Sequence, residues 1–317
     1  MRVTSILIFA MASVVAPPLM AQTAPSTAGA QAVASPPARS IEVSSVLSRN
    51  ARKALKKMFQ DSIVDSQLRM PEQEKIENFK DLIEKTLGSR TVSSELVQQW
   101  ETEGWECRSV VESNVVVVVE KSDQRWGRGI YVLRTGCDSQ IVLQAPHRFN
   151  DAKTGVIARK LFEEHDVWAV AFNTVHRKEL DLAHCQRHYF NAFTEAVVAL
   201  RSNAIMLQLH GFSNVEKTNA GKSANLIVSD TTKFPGRHAR RVAEEFKFNF
   251  GKSHTRLYPL ETRWLGGTNN HQANLMQQLG STGFLHLEMN PPFRQLLAST
   301  ASVRERFFAS IASAIGQ

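Results

Sequence analysis

The chain has 317 residues, of which 43% are hydrophobic and 21% charged, with three Cys and a net charge of +8. That apolar share excludes wholesale disorder, because disordered chains lack the side chains whose burial offsets ordering entropy. Three Cys exclude a disulfide-framework miniprotein, and the length suits one large domain or two small ones.

At the N-terminus, Arg2 precedes an apolar run over residues 6–16, and Leu19-Met20-Ala21 ends on a small residue. This pattern predicts a secretory signal peptide over 1–21. Pro17 and Pro18 interrupt the run short of the roughly 20 apolar residues that a membrane span requires, so cleavage is preferred to an uncleaved anchor. No later stretch is long and apolar enough to span a bilayer. An exported product follows, periplasmic or secreted, with a net charge of +7 once Arg2 is removed. Residues 22–40 are rich in Ala, Pro, Ser and Gly and predict a flexible linker.

From 41 to 103 the pattern is helical. Leu55, Met58, Phe59 and Ile63, then Ile76, Phe79, Leu82, Ile83 and Leu87, recur at spacings of three and four. Arg52, Lys53, Lys56 and Lys57 read as a solvated helix face, since no aromatic residues interleave as single-stranded nucleic-acid binding requires. Between 104 and 140 the five valines 115–119 and the run 129–133, separated by turn residues, predict a small antiparallel hairpin element. Cys107 and Cys137 flank it. A disulfide between them and two separately buried thiols both suit the pattern, and Cys185 is unpaired either way.

From 141 onward strands alternate with helices. Strands are predicted at 141–145, 167–172, 204–209, 226–229, 255–258 and 284–287, and helices at 155–164, 188–201, 237–249, 271–279 and 303–315. This reads as an α/β domain over 104–317 built on a mostly parallel or mixed sheet sandwiched by helices.

Open α/β sheets bind ligands at the carboxyl ends of their strands. Here those ends carry Pro146-His147-Arg148-Phe149-Asn150-Asp151, then Asn173-Thr174-Val175-His176-Arg177 running on to Asp181-Leu182-Ala183-His184, then Gln208-Leu209-His210-Gly211, and last His286-Leu287-Glu288-Met289-Asn290. Four strand ends delivering His, Asp, Arg and Glu to one edge point to a metal-assisted site. A catalytic zinc takes three protein ligands and keeps one position open. His147, Asp151 and His210 are the candidate ligands, and Zn2+ there would acidify water and polarise a scissile carbonyl. Glu288, in an apolar setting that raises a carboxyl pKa, is the candidate proton carrier. Arg177 is the candidate partner for an oxyanion or a substrate carboxylate.

These motifs resemble the N-formylglutamate amidohydrolase group within the zinc carboxypeptidase-like superfamily, over about 141–294. The resemblance rests on Ala145-Pro146-His147, on Leu207-Gln208-Leu209-His210-Gly211 and on Leu285-His286-Leu287-Glu288-Met289-Asn290. It implies a zinc-carboxypeptidase-like fold, His147 and His210 as zinc ligands and Glu288 as general base. His147 and Asp151 are separated by three residues where the carboxypeptidases have two. The family's substrate-binding Asp-Leu-Asn-Arg segment is Asp-Leu-Ala-His here, which makes His176, Asp181 and His184 candidate substrate contacts beside Arg177. A Gly-rich loop near the last strand adds Thr268 and Asn269.

Other motifs read as structural. His184 and His188, four apart, fit exposed imidazoles at a helix start, and a metal pair less well. Ala220-Gly221-Lys222-Ser223 is similar to a phosphate-binding loop, but Glu216 stands where that motif needs Gly. No Gly-x-Ser-x-Gly elbow is present, against a serine hydrolase of the common α/β type. The expected function is an exported zinc-dependent amidohydrolase or carboxypeptidase-like hydrolase. Its substrate would be an acylated amino acid, a peptide or a cell-wall fragment, with no nucleic acid as partner. The alternative is a non-catalytic envelope binding protein on the same scaffold.

Overall fold

The computed structural model describes residues 46–61, 68–212 and 224–316. The expected signal peptide and linker, and the 220–223 loop, lie outside those residues. In chain order the elements are α1 (Arg49–Asp61), α2 (Gln73–Gly88), α3 (Ser94–Thr102), β1 (Trp105–Ser109), β2 (Val115–Glu120), β3 (Ile130–Arg134) and β4 (Ile141–Ala145). There follow α4 (Thr154–Glu164), β5 (Ala169–Phe172), α5 (Tyr189–Leu200), β6 (Ile205–Gly211), β7 (Leu226–Ser229) and α6 (Arg237–Phe250). The chain continues through β8 (Thr255–Leu257), α7 (His271–Gln278), β9 (Phe284–Met289), α8 (Pro291–Ser299) and α9 (Ala301–Ile315).

The strands form one mixed sheet in the order β1-β2-β3-β5-β4-β6-β9-β7-β8. Its four central strands, β5, β4, β6 and β9, run parallel, and both flanks join them antiparallel. The predicted α/β class is observed. The valine hairpin does not stand apart: β3 pairs with β5, Ile130 opposite Phe172, so the hairpin extends the central sheet.

Continuous apolar strands arise because both faces of the sheet are covered. Val115, Val117 and Val119 share one apolar cluster with Leu55, Leu161, Phe246 and Phe307, on the side of the sheet that α1, α4, α6 and α9 cover. Val116, Val118, Tyr131 and Leu133 face Phe79, Trp100, Phe190 and Phe193, the layer of α2, α3 and α5. Two elements escaped the sequence reading. In β1, Trp-Glu-Cys-Arg-Ser buries only its Trp105, so it lacks alternation. Helix α8 opens with prolines at its first turn after Asn290, whose side chain caps it, a start signal present in the sequence. Each of the three cysteines carries a free thiol, which rejects the Cys107–Cys137 bridge. Among the described residues no helix is long and apolar enough to cross a membrane.

Connectivity positions the site. The chain leaves β4 through α4 to β5 on one side, then crosses through α5 to β6 on the other side of β4. This reversal makes the carboxyl ends of β4 and β6 a topological switch point, where open sheets receive ligands.

Candidate metal centre

His147 and Asp151 lie on the turn after β4, and His210 is the penultimate residue of β6. The backbone N–H of Asp151 donates to His147 O at 2.7 Å, folding the turn back so that the carboxylate faces the imidazole. Gly211 N–H holds Asp151 Oδ2 from the other side at 3.0 Å. His147 Nδ1 and His210 Nδ1 stand 3.1 Å apart, and Asp151 Oδ2 lies 3.5 Å from the first and 3.4 Å from the second. All three side chains are buried.

The outward nitrogens settle what the inward ones can be. His147 Nε2 contacts Asp181 Oδ1 at 2.7 Å, an acceptor-only partner while ionised, so this nitrogen carries the proton. His210 Nε2 contacts Gln208 Oε1 at 2.7 Å and is likewise the donor. In the neutral imidazoles both Nδ1 lone pairs therefore point at each other and at a carboxylate oxygen. Without a cation that arrangement is repulsive. A proton shared through His147 relieves it in part; a metal ion relieves it fully. A tetrahedral zinc with ligands at about 2.0–2.2 Å would set them roughly 3.3–3.6 Å apart, close to the separations found. The residues fit the ion.

Electrostatics follow the same contacts. Burial opposes the charge on Asp151, but hydrogen bonds and positive charge from His147 and His210 hold its carboxyl well below the usual range. Burial also opposes charge on Asp181, which His147, Arg177 and His184 overcome, keeping it low too. Burial pushes His210 down to about 4.

A second buried group, His210, His286 and Glu288, is close enough in space to hold an ion. It competes for His210, whose nitrogens are committed to Gln208 and to the first group. His286 instead stacks on the His210 ring at 4.3 Å between centroids, beneath Gly267. A Cβ at Gly267 would come within 2.8 Å of the His286 ring, and the Gly267 φ of +64° also favours glycine. Glu288 lies opposite His210 in the β6–β9 register. Its Oε2 finds no hydrogen-bond partner among the described residues. Burial, and then the charge of Asp151, push its carboxyl up to about 8.

The expected substrate contacts are redistributed. Arg177 spends its Nε on Asp181 Oδ2 at 2.8 Å, and its side chain is 44% exposed. Asp181 itself is taken up behind His147 and by His184 Nδ1 at 3.1 Å. His176 is exposed and stacks on Phe149 at 4.8 Å. Thr268 and Asn269 are exposed, while their neighbours Gly267 and Asn270 make the inward contacts. His184 and His188 share no helix face. His188 is buried, accepts Phe190 N–H at the start of α5 and donates to Gly127 O at 3.0 Å.

Sequence reasoning missed Arg294, on α8. It is buried against Gly211, where any Cβ would collide with its guanidinium. Its Nε and Nη1 have no hydrogen-bond partner among the described residues, and Asp151 and Glu288 are the anions that act on it. A cation five residues past Met289, the last residue of β9, was the available signal.

No protein-family model matches the chain, and no curated protein matches it in sequence. Solved structures are similar to it. The N-formylglutamate amidohydrolase from Ralstonia eutropha JMP134 has 13% identity over 59% of this chain and 97% of its own, with a TM-score of 0.39. An aspartoacylase family protein from Mesorhizobium loti has 12% identity over 67% and 71%, with a TM-score of 0.39. A bacteriophage poly-gamma-glutamate hydrolase has 12% identity over 55% and 80%, with a TM-score of 0.36. Residue roles are read from the geometry above.

Proposed function

We propose that the chain is an exported, zinc-dependent hydrolase of amide C–N bonds, acting on an acylated amino acid, a peptide or a cell-wall fragment. One observation carries this reading: three buried donor atoms, two of them with tautomers fixed from outside, converge at ligand spacing. His147, Asp151 and His210 would hold the ion. When bound, zinc supplies a Lewis acid for a carbonyl oxygen and acidifies water.

The chain's own groups do the rest. Asp181 keeps His147 in the orientation that presents Nδ1. Glu288, whose Oε2 has no partner among the described residues and whose carboxyl burial raises, is suited, once ionised, to take a proton from water and return it to a leaving nitrogen at Oε2. Arg294 offers two unpartnered nitrogens to an anion, either a developing oxyanion or a substrate carboxylate. A binding protein on this scaffold would have no use for an unpartnered carboxyl at the end of β9.

Metal analysis with His210→Ala tests the reading. One zinc per chain in the wild type, lost together with amide hydrolysis in the variant, is the expected result. Wild-type protein without stoichiometric zinc, or a variant that keeps both, would contradict it.

A further inference from the structure

Beneath the metal-facing histidines lies a row of buried amides. Gln144 of β4, Gln208 of β6 and His286 of β9 are register neighbours across three parallel strands. Gln144, Gln208 and His286 are all buried, as is Gln272 of α7, which covers them. A buried amide is costly unless donors meet acceptors throughout. Here backbone groups fix Gln272 and Asn270, and those two side chains fix Gln208.

Gln272 Nε2 donates to Leu182 O at 2.9 Å, so its Oε1 must be the acceptor. Gln208 Nε2 donates to that Oε1 at 3.1 Å and to Gln144 Oε1 at 2.8 Å. Asn270 arrives at the same answer independently. Its Oδ1 accepts Ala273 N–H at 3.0 Å, leaving its Nδ2 to donate to Gln208 Oε1. Gln208 Oε1 is therefore an acceptor on two separate grounds, and His210 Nε2 must donate to it. Flipping Gln208 would set its NH2 against two donors and its oxygen against two acceptors, all without access to water.

We propose that Gln208 and Gln272 are positioning residues for the metal centre: they carry the polarity of the Leu182 carbonyl to His210 and lock it as the Nε2–H tautomer, with Nδ1 free to bind an ion. Leu182 adjoins Asp181, which fixes the tautomer of His147. One turn, Asp181 to His184, thus orients both imidazoles, one by a direct carboxylate and the other through two amides. The inference deepens the zinc-site reading and rests on it for its purpose, but the tautomer itself exists without metal.

The test has two arms. In metal-free wild-type protein, the 15N spectrum of the His210 ring is expected to show a protonated Nε2 and a lone-pair Nδ1. In Gln208→Met, which keeps the volume and removes the amide, that signature is expected to become a mixture of tautomers. Zinc affinity, measured by competition with a chromophoric chelator, should fall about 10–100-fold, the range for removal of such outer partners. A protonated Nδ1 in the wild type, or a Met variant that binds zinc as tightly with an unchanged spectrum, overturns the relay. Wild-type protein that shows the expected tautomer yet binds no zinc would overturn the zinc reading and leave the relay standing, so the two failures are distinguishable.

Discussion

Two glutamates with covered side chains stand at or near the ends of two strands of one sheet, and they are opposites. Glu120 ends β2 on the antiparallel flank. Its Oε1 accepts Trp126 N–H at 2.6 Å, its Oε2 accepts the Thr174 hydroxyl at 3.4 Å, and Arg128 Nε stands 3.9 Å away. Glu288 lies near the end of β9, in the parallel centre, and its Oε2 has no partner among the described residues. Burial raises both carboxyls. Burial is therefore no mark of chemistry. What separates the flank from the centre is the missing partner, because a buried acceptor left unsatisfied costs free energy that folding alone gives no reason to keep.

Exchanging the two acids for amides is the strongest way to break that contrast. Glu288→Gln is expected to lower amide hydrolysis by about 10²–10⁴-fold with the melting temperature held or raised. Glu120→Gln should leave hydrolysis intact and destabilise the fold by about 1–3 kcal/mol in urea unfolding. If the two variants trade phenotypes, the contrast is wrong.

Histidines offer the next comparison. His210 has its tautomer set for the site, whereas His188 has both nitrogens committed to the backbone. Burial takes His188 from 6.5 down to about 4, with the Gly127 carbonyl opposing. Between those values the unfolded chain binds the extra proton. His188 therefore contributes stability that is complete above pH 6.5 and lost as pH falls toward 4, at most about 3 kcal/mol. His188→Asn, which can still cap α5, should flatten that part of the stability–pH curve. An unchanged slope would show that the imidazole is not the titrating group.

Smaller effects probe Arg294 and its helix. Gly211→Ala forces the guanidinium away from the centre, so kcat/KM should drop by up to about 10²-fold while zinc content is retained; unchanged turnover would remove Arg294 from the site. Asn290 caps α8 by accepting Phe293 N–H at 2.9 Å. Asn290→Ala should cost about 1 kcal/mol, read as a lower melting temperature, and a stability gain would contradict the capping role.

Much of this was legible in the residues. Strand-end reasoning leads to His147, Asp151, His210 and Glu288, because a parallel strand buried on both faces is an apolar run and its polar terminus stands out. The structure brings all four to one buried edge. The supporting residues were harder. Gln208 sits two positions before His210, which in a strand means the same face, yet sequence does not tell which amide across the sheet it meets. Arg177 follows the end of β5 and is visible as a strand-end cation; Arg294 reaches the site because α8 folds back against Gly211, a tertiary event. In the loop at 265–270 the turn aims Gly267 and Asn270 inward and leaves Thr268 and Asn269 in solvent, a division that sequence does not show. The motif that marks Asp181 is short-range, while its bond to His147 spans 34 residues.

The most direct measurement is a crystal structure of zinc-loaded protein with the ion placed by anomalous scattering. Zinc bound by His147 Nδ1, Asp151 Oδ2 and His210 Nδ1 at about 2.0–2.2 Å, with Glu288 outside the ligand set, is the expected result. An ion seated instead on His286 and Glu288, or no ion at this edge of the sheet, would contradict it.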